Sequence, residues 1–187
     1  MWCNILAATP HFASQPMSIE DANKSRISDE DYWAQVALEM TAVIEKHPHD
    51  RRAVFMRGNA YLDWGRLDEA IADYGRAIEL DGADPVAYNN RGICYRRKGM
   101  PDRAIEDFDV ALRLRPDYRD ALNNRGVARS DKSEYEAALA DFDRAITLDP
   151  NFWFSYNHRG LALWALGRRD EAVRDYEMVG QLLGRRG

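Results

Sequence analysis

The sequence is poor in cysteine, in surplus basic charge and in long apolar runs, and each shortage excludes a class of protein. Its 187 residues contain two cysteines, Cys3 and Cys94, whose spacing matches no metal site, redox pair or disulfide framework and favours a reducing compartment. The formal charge of -5 argues against binding to duplex nucleic acid, which requires a clustered basic surface. No apolar run approaches the roughly 20 residues that a membrane-spanning helix needs.

The N-terminal segment Met1 to Gln15 is mildly apolar but makes a poor secretory signal. It has no lysine or arginine ahead of its apolar part, and Asn4 and Pro10 interrupt it. We therefore expect residues 1–17 to form a flexible segment of a cytoplasmic protein, with periplasmic export as the weaker alternative.

The chain does contain a repeat with a period of 34 residues, which is the strongest signal in the sequence. The first column of this repeat is an Arg-Gly pair, at Arg57-Gly58, Arg91-Gly92, Arg125-Gly126 and Arg159-Gly160. Other columns keep the same spacing: Ala70, Ala104, Ala138 and Ala172; Tyr74, Phe108, Phe142 and Tyr176; and Asp73, Asp107, Asp141 and Asp175. Each unit is predicted to form two helices of about 13 residues, separated by Gly65, Gly99, Ser133 or Gly167.

The period and the glycine, alanine, aromatic and proline columns resemble the tetratricopeptide-repeat (TPR) family over about residues 51 to 183. The resemblance implies an all-α fold, an α-solenoid of stacked antiparallel helix hairpins that form a right-handed superhelix. It implies repeats at 51–84, 85–118, 119–152 and 153–187, the last with a short C-terminal tail. Residues 18–50 are then a degenerate repeat with N-terminal capping helices, in which Asp29 to Lys46 forms an amphipathic helix and Ser18 to Ile27 a shorter one.

Two columns predict how the hairpins pack. A glycine inside a helix costs about 1 kcal/mol relative to alanine, so a matched column of glycines indicates close contact, with Gly58 leaving room for the ring of Tyr74. Each arginine of the Arg-Gly pair has an aspartate sixteen residues later, as in Arg57 and Asp73. We predict a series of partly buried ion pairs within or between repeats, which would set the register more than it stabilises the fold.

The C-terminal end is predicted to lack the polar helix that usually closes such arrays. The last helix runs from Asp170 to about Leu183, and Val173, Val179, Leu182 and Leu183 are expected to be partly exposed. A soluble, frayed end is one interpretation. The other is docking or homo-oligomer formation through this helix.

In the TPR family the first helix of each hairpin lines a concave face that binds extended peptides. Projecting these helices predicts a peptide-binding groove made of Arg52, Phe55, Asn59, Asn89, Asn90, Ile93, Arg97, Asn123, Asn124, Val127, Phe154, Asn157, His158 and Trp164. The paired asparagines are its main feature, because a side-chain amide can pair with both the N–H and the C=O of a peptide backbone. The alternative is that the asparagines cap or bridge neighbouring hairpins.

Other activities have weaker support. The chaperone-tail clamp of some TPR proteins needs cations where this chain has Phe55, Asp120 and Asn124, and Asp120 would repel a carboxylate. His47, His49 and Asp50 could be taken for a metal site, but charged residues in a loop after a helix explain them better. The run Arg96-Arg97-Lys98 suits a helix C-terminus. We expect no enzyme activity, no cofactor, no metal, no nucleic-acid ligand and no membrane span.

The predicted function is that of a protein–protein interaction adaptor or scaffold that binds an extended segment of a partner protein in the concave groove. The first alternative is an assembly factor that acts through the C-terminal helix. The second alternative is an accessory module that regulates a separate enzyme.

Overall fold

A computed structural model describes residues 28–184, and over this range the chain forms nine α-helices joined by short turns. In chain order they are α1 (Asp29–Lys46), α2 (Arg51–Trp64), α3 (Leu67–Leu80), α4 (Pro85–Arg97), α5 (Pro101–Leu114), α6 (Arg119–Asp131), α7 (Tyr135–Leu148), α8 (Trp153–Ala165) and α9 (Arg169–Gly184). The predicted all-α class is confirmed. The segments predicted at 1–17 and Ser18–Ile27, and the tail at 185–187, lie outside the described residues.

Each of the helices α2 to α8 packs against the helix before it and the helix after it, so the stack grows by antiparallel hairpins. The first helices of the hairpins, α2, α4, α6 and α8, also contact one another in series, whereas within residues 28–184 the second helices do not. The first helices are therefore closer together and line the inner, concave side of the solenoid. None of the described helices is long and apolar enough to cross a membrane.

Three of the four turns between the helices of a hairpin contain a glycine in the left-handed conformation. Gly65, Gly99 and Gly167 have φ angles of 83°, 73° and 77°, and Ser133 occupies the same place with φ 62°. A left-handed residue after the helix lets the chain reverse direction while its N–H groups bond back to the last turn. This agrees with the separators predicted from the sequence.

Small residues in the first helices hold the rings of the second helices, as predicted. A Cβ atom added to Gly126 would lie 2.5 Å from Cε1 of Phe142, and one added to Gly92 would lie 2.7 Å from Cε1 of Phe108. Both rings are completely buried. The glycine column therefore exists because the aromatic ring of the partner helix occupies the space of a side chain.

The predicted arginine–aspartate pairs form within each hairpin. Arg125, for example, donates from Nη2 and Nε to the two carboxylate oxygens of Asp141 at 2.5 and 3.0 Å, and the three equivalent pairs have the same two-bond geometry. Three of the arginines also reach the preceding second helix or α1. Their Nη1 atoms donate to Thr41, Asp109 and Asp143, each sixteen residues before the arginine. The series thus operates both within and between hairpins.

Helix α1 forms with the predicted bounds, and Ser28 caps it by accepting a bond from the N–H of Asp31 at 3.1 Å. Its Ala37 is buried against the stack, while Leu38 is 64% exposed on the opposite side. The loop before α2 has a similar structural role, since Asp50 accepts a bond from the N–H of Ala53 at 3.0 Å.

Candidate functional site

A groove of about 470 Å³ crosses the inner helices α4, α6 and α8. Its lining residues are Asn89, Asn90, Ile93, Tyr118, Asp120, Asn123, Asn124, Phe152, Phe154 and His158. We call this site the concave groove. Seven of the residues predicted from the sequence lie in it: Asn89, Asn90, Ile93, Asn123, Asn124, Phe154 and His158.

A chain of amide hydrogen bonds forms the floor of the concave groove. Asn124 donates from Nδ2 to Oδ1 of Asn89 at 3.0 Å, and Asn89 donates to Oδ1 of Asn90 at 3.1 Å. Asn90 in turn donates to Oδ1 of Asn59 at 3.1 Å. The chain therefore connects α6 to α4 and α4 to α2, so these asparagines bridge neighbouring hairpins.

The two asparagines of each pair differ in burial. Asn89 and Asn123 are only 4% and 6% exposed, while Asn90 and Asn124 are half-buried at the groove surface. Within residues 28–184, Oδ1 of Asn124 accepts no hydrogen bond, whereas the Asn90 amide donates to Asn59 and also bonds the Tyr74 phenol, which limits the rise that burial causes in the pKa of Tyr74. The acceptor of Asn124 thus remains open for a ligand, beside the half-buried amide of Asn90 on the adjacent helix.

The amide floor is extended from α6 to α8 through Asn123. Its Oδ1 lies 3.1 Å from Oγ of Ser155, which donates to it, and 3.1 Å from Nδ1 of His158. Because an amide oxygen only accepts, Nδ1 of His158 carries the proton and Nε2 is left as an acceptor. Burial lowers the pKa of His158, and Arg96 lowers it further while Asp131 opposes them. The imidazole is therefore neutral at pH 7.

Aromatic side chains form the walls of the concave groove. Phe152 and Phe154 have ring centroids 5.4 Å apart, and Phe154 remains 43% exposed. Tyr118 precedes the first residue of α6, and burial there raises the pKa of its phenol. Tyr118 and Phe152 were not predicted, because each lies one residue before a helix and so has no position in a helical projection. Their separation of 34 residues is the signal that could have found them.

Four of the other predicted residues are not among the lining residues of the concave groove, and they lie on α2 or at the end of α4. Arg52 is exposed in the first turn of α2. Phe55 packs against the ring of Tyr74, with centroids 5.6 Å apart. Asn59 accepts a hydrogen bond from the Tyr74 hydroxyl at 2.7 Å in addition to that from Asn90. Arg97, on α4, donates to the carbonyl of Leu62 at 3.0 Å.

The remaining three lie in the second half of the stack, also outside the concave groove. Val127 is half-buried and packs against the core between α7 and α9. Asn157 is half-buried on α8. Trp164 is 53% exposed at the end of α8, with the guanidinium of Arg169 5.4 Å from its ring centroid. The structure therefore splits the predicted set into a compact group and an outlying one.

A larger cavity of about 550 Å³ lies between α7, α8 and α9. Most of its charged groups bind one another: Arg159 contacts Asp175 and Asp143 at 2.6 Å, and Arg168 contacts Glu171 at 2.6 Å. Of the other two charged lining residues, Arg174 donates to the carbonyl of Asp170 at 3.2 Å, and Glu136 forms no ion pair within residues 28–184.

The outer face of α9 exposes apolar side chains, and one of them is covered at the equivalent place in the preceding hairpin. Val173 and Leu183 are each 45% exposed, whereas Leu139, which is equivalent to Val173 in α7, is only 8% exposed beneath α8. The prediction for Leu182 was wrong, because Leu182 is only 6% exposed. Glu177 in α9 is equivalent to Asp143 in α7, which binds Arg159 of the following helix. Among the described residues Glu177 has no cationic partner.

Family models match most of the repeat region. A model described as TPR repeat matches residues 58–99, and models described as tetratricopeptide repeat match 85–118, 120–152 and 155–179. No curated protein is significantly similar to the chain.

Solved structures support the same assignment. The crystal structure of MamA is 23% identical, covers 92% of this chain and 98% of its own, and superposes with a TM-score of 0.76. The first TPR domain of human RPAP3, solved by NMR, is 31% identical over 66% of this chain and 97% of its own, with a TM-score of 0.62. The first TPR of Spaghetti (RPAP3) bound to the HSP90 peptide SRMEEVD is 31% identical over 63% of this chain and 93% of its own, with a TM-score of 0.61.

Proposed function

Because the chain belongs to the tetratricopeptide-repeat family, a scaffold for protein–protein interaction, we propose that it is an adaptor that holds an extended segment of a partner protein in the concave groove. In this proposal the protein is a non-catalytic scaffold. A cytoplasmic location fits the buried thiol of Cys94, which forms no disulfide within residues 28–184.

The observation that carries the proposal is the position of two half-buried amides beside aromatic walls. Asn124 keeps its acceptor open, the amide of Asn90 lines the same groove on the adjacent helix, and the ring of Phe154 is exposed in that groove. An extended segment needs such an arrangement, since its backbone presents N–H and C=O groups at regular intervals while its side chains seek apolar surface. The amide floor is held by its own hydrogen bonds, so little ordering is required on binding.

The first TPR of Spaghetti (RPAP3), which is similar to this chain, is solved with a bound peptide, and this supports a peptide as the class of ligand. The resemblance does not extend to the acidic ligand. Asp120 lines the groove of this chain, and a carboxylate there repels an acidic peptide tail.

Photo-crosslinking tests the proposal in the cell of origin. A photoreactive phenylalanine analogue at position 154 is expected to crosslink to a partner protein, because the exposed ring faces the bound segment. The matched control places the same analogue at position 106, which is exposed on α5 outside the groove. Equal crosslinking at both positions, or none at 154, contradicts a partner in the groove.

A second candidate function is the assembly of a complex through α9. In this case the exposed face of α9 would be covered by a helix of another molecule that presents an arginine to it. Arg125 and Arg159 each bind a carboxylate on the preceding second helix, at 2.5 and 2.6 Å. Glu177 is the next carboxylate of that series; the exposed Val173 lies one turn before it, and the exposed Leu183 lies further along α9. The face therefore has the charge and the apolar surface that the first helix of another hairpin would cover.

The mass of the protein in solution tests assembly between copies of the chain. If α9 mediates it, analytical ultracentrifugation should show a species larger than the monomer that Val173→Asp with Leu183→Asp dissociates. A wild-type protein that stays monomeric at all concentrations excludes self-association and leaves only a different partner for this face. In that case, the photoreactive analogue at position 173 should crosslink to another protein, and its failure to do so removes the second candidate.

A further inference from the structure

We propose that the concave groove selects partner segments in which a lysine or arginine stands beside an apolar side chain, and that Asp120 is the residue that determines this preference. The inference rests on the proposed function, because it names the class of segment that the same groove would accept. The proposed occupant is an internal stretch of a partner protein, because the amides of Asn90 and Asn124 can pair with a peptide backbone while Asp120 repels a C-terminal carboxylate.

The charge of the groove is negative and comes from one residue. Asp120 is the only acidic or basic side chain among the groove's lining residues, all within 28–184, apart from the imidazole of His158. His158 is held neutral by burial, which lowers its pKa. Among the lining residues, a cation on the ligand therefore meets one attractive charge and no repulsive one.

The neighbouring Arg119 does not cancel this charge. Its Nη2 and Nε lie 2.7 and 3.0 Å from Oδ1 of Asp120, while its Nη1 lies 2.5 Å from Oδ2 of Asp149. The guanidinium is also held over the ring of Phe152, 4.0 Å from its centroid. One cation shared by two carboxylates leaves a surplus of one negative charge, and Oδ2 of Asp120 accepts no hydrogen bond from the described residues.

Basic residues near the groove are already engaged elsewhere. Arg96 lies 3.3 Å from Asp131, and Arg97 donates to the carbonyl of Leu62 at 3.0 Å. Neither lines the groove. An acidic segment would thus lose its hydration without gaining a paired cation, which costs free energy in a partly buried site.

The apolar side chain of the ligand has a defined place. Ile93, Phe152 and Phe154 form the apolar walls beside Asp120, and the volume of about 470 Å³ falls within the usual range of ligand pockets. The aromatic walls give an apolar side chain of the ligand a large contact area. The exposed carboxylate of Asp120 at their edge then attracts a basic residue that lies one or two positions from that apolar residue along the extended ligand. The groove consequently favours a segment with an apolar–basic pair over a segment in which acidic side chains face Asp120.

Selection from a phage-displayed heptapeptide library tests the inference on the full chain. The wild type and the control Asp117→Lys, an exposed site outside the groove, should enrich peptides with a lysine or arginine next to an apolar residue. Against Asp120→Lys, the affinity of the enriched peptides should fall at least about tenfold, because like charges then face each other. Asp120→Asn, which removes the charge at nearly constant size, should give a smaller loss and serves if the lysine disturbs the start of α6.

The outcomes separate this inference from the proposed function. Peptides that need Asn90 and Asn124 but bind equally to wild type, Asp120→Asn and Asp120→Lys overturn the charge preference and leave the groove as a binding site. Enrichment of acidic peptides also overturns it. If the wild type enriches nothing beyond the Asn90→Ala with Asn124→Ala variant, both the preference and the groove model fail.

Discussion

Asn124 donates its side-chain N–H to Oδ1 of Asn89 at 3.0 Å, and this bond joins the first helices of two consecutive hairpins. The same asparagine keeps its own Oδ1 open at the groove surface. Bridging and binding are therefore compatible functions of one amide, because its donor and its acceptor point to different partners. The bridge fixes the position of the acceptor before any ligand arrives.

The buried Asp141 should be far more important for stability than the exposed Asp143 on the same helix. Asp141, with a side chain only 2% exposed, binds both Arg125 and Arg129, whereas the side chain of Asp143 is 59% exposed and binds Arg159 alone. Removing one partner of a buried pair leaves an uncompensated charge and costs about 3–5 kcal/mol, while an exposed pair contributes about 1 kcal/mol or less. Urea denaturation of Asp141→Ala and Asp143→Ala measures both; similar losses would contradict a structural function for the buried pair.

Two glycines on different helices should respond in opposite directions to alanine. A methyl group at Gly126 would lie 2.5 Å from Phe142, so overpacking is expected to reduce the free energy of unfolding by about 1–3 kcal/mol. The control Gly180→Ala meets nothing within 4 Å and lies inside α9. It should therefore stabilise the protein by about 0.5–1 kcal/mol through helix propensity. A stabilised Gly126→Ala variant would show that the ring does not require the glycine.

Acidification should destabilise the protein partly through His158. Its folded pKa is lowered below the ordinary value, by burial first and by Arg96 second, so the unfolded chain binds a proton that the folded chain resists. Stability from this group is complete above the unfolded pKa and falls as the pH drops toward the folded pKa. The melting temperature of wild type should decrease more between pH 7.5 and 5 than that of His158→Gln; equal decreases would contradict the inference.

The packing of the repeats could be predicted from the sequence because it depends on residues at fixed separations. Gly126 and Phe142, or Arg125 and Asp141, are sixteen residues apart in every hairpin, so one periodic pattern determines all four contacts. The structure confirmed both relations. The additional bonds that the arginines form to the preceding hairpin, such as that from Arg159 to Asp143, could not be assigned from the sequence, because they depend on how two hairpins are placed relative to each other.

The groove was predicted less well, because it depends on how the helices are rotated against one another. A helical projection places both Asn89 and Asn90 on the groove side of the helix, but packing buries Asn89 and leaves Asn90 half-buried at the groove surface. It also omits Phe152, which stands before α8 and reaches the groove from the end of a turn. Phe55 was predicted as a groove residue, but it packs instead against Tyr74.

Replacing the two half-buried asparagines of the groove surface tests the central proposal most directly. Proteins captured from an extract of the source cell by wild type are compared, by quantitative mass spectrometry, with those captured by Asn90→Ala with Asn124→Ala and by the control Asn151→Ala on an exposed turn. The double variant also loses two bridging bonds, of about 0.5–1.5 kcal/mol each, so capture is measured well below its melting temperature. We predict that the partner retained by wild type and by Asn151→Ala falls at least about tenfold with the double variant. Equal capture by all three proteins would contradict binding in the concave groove.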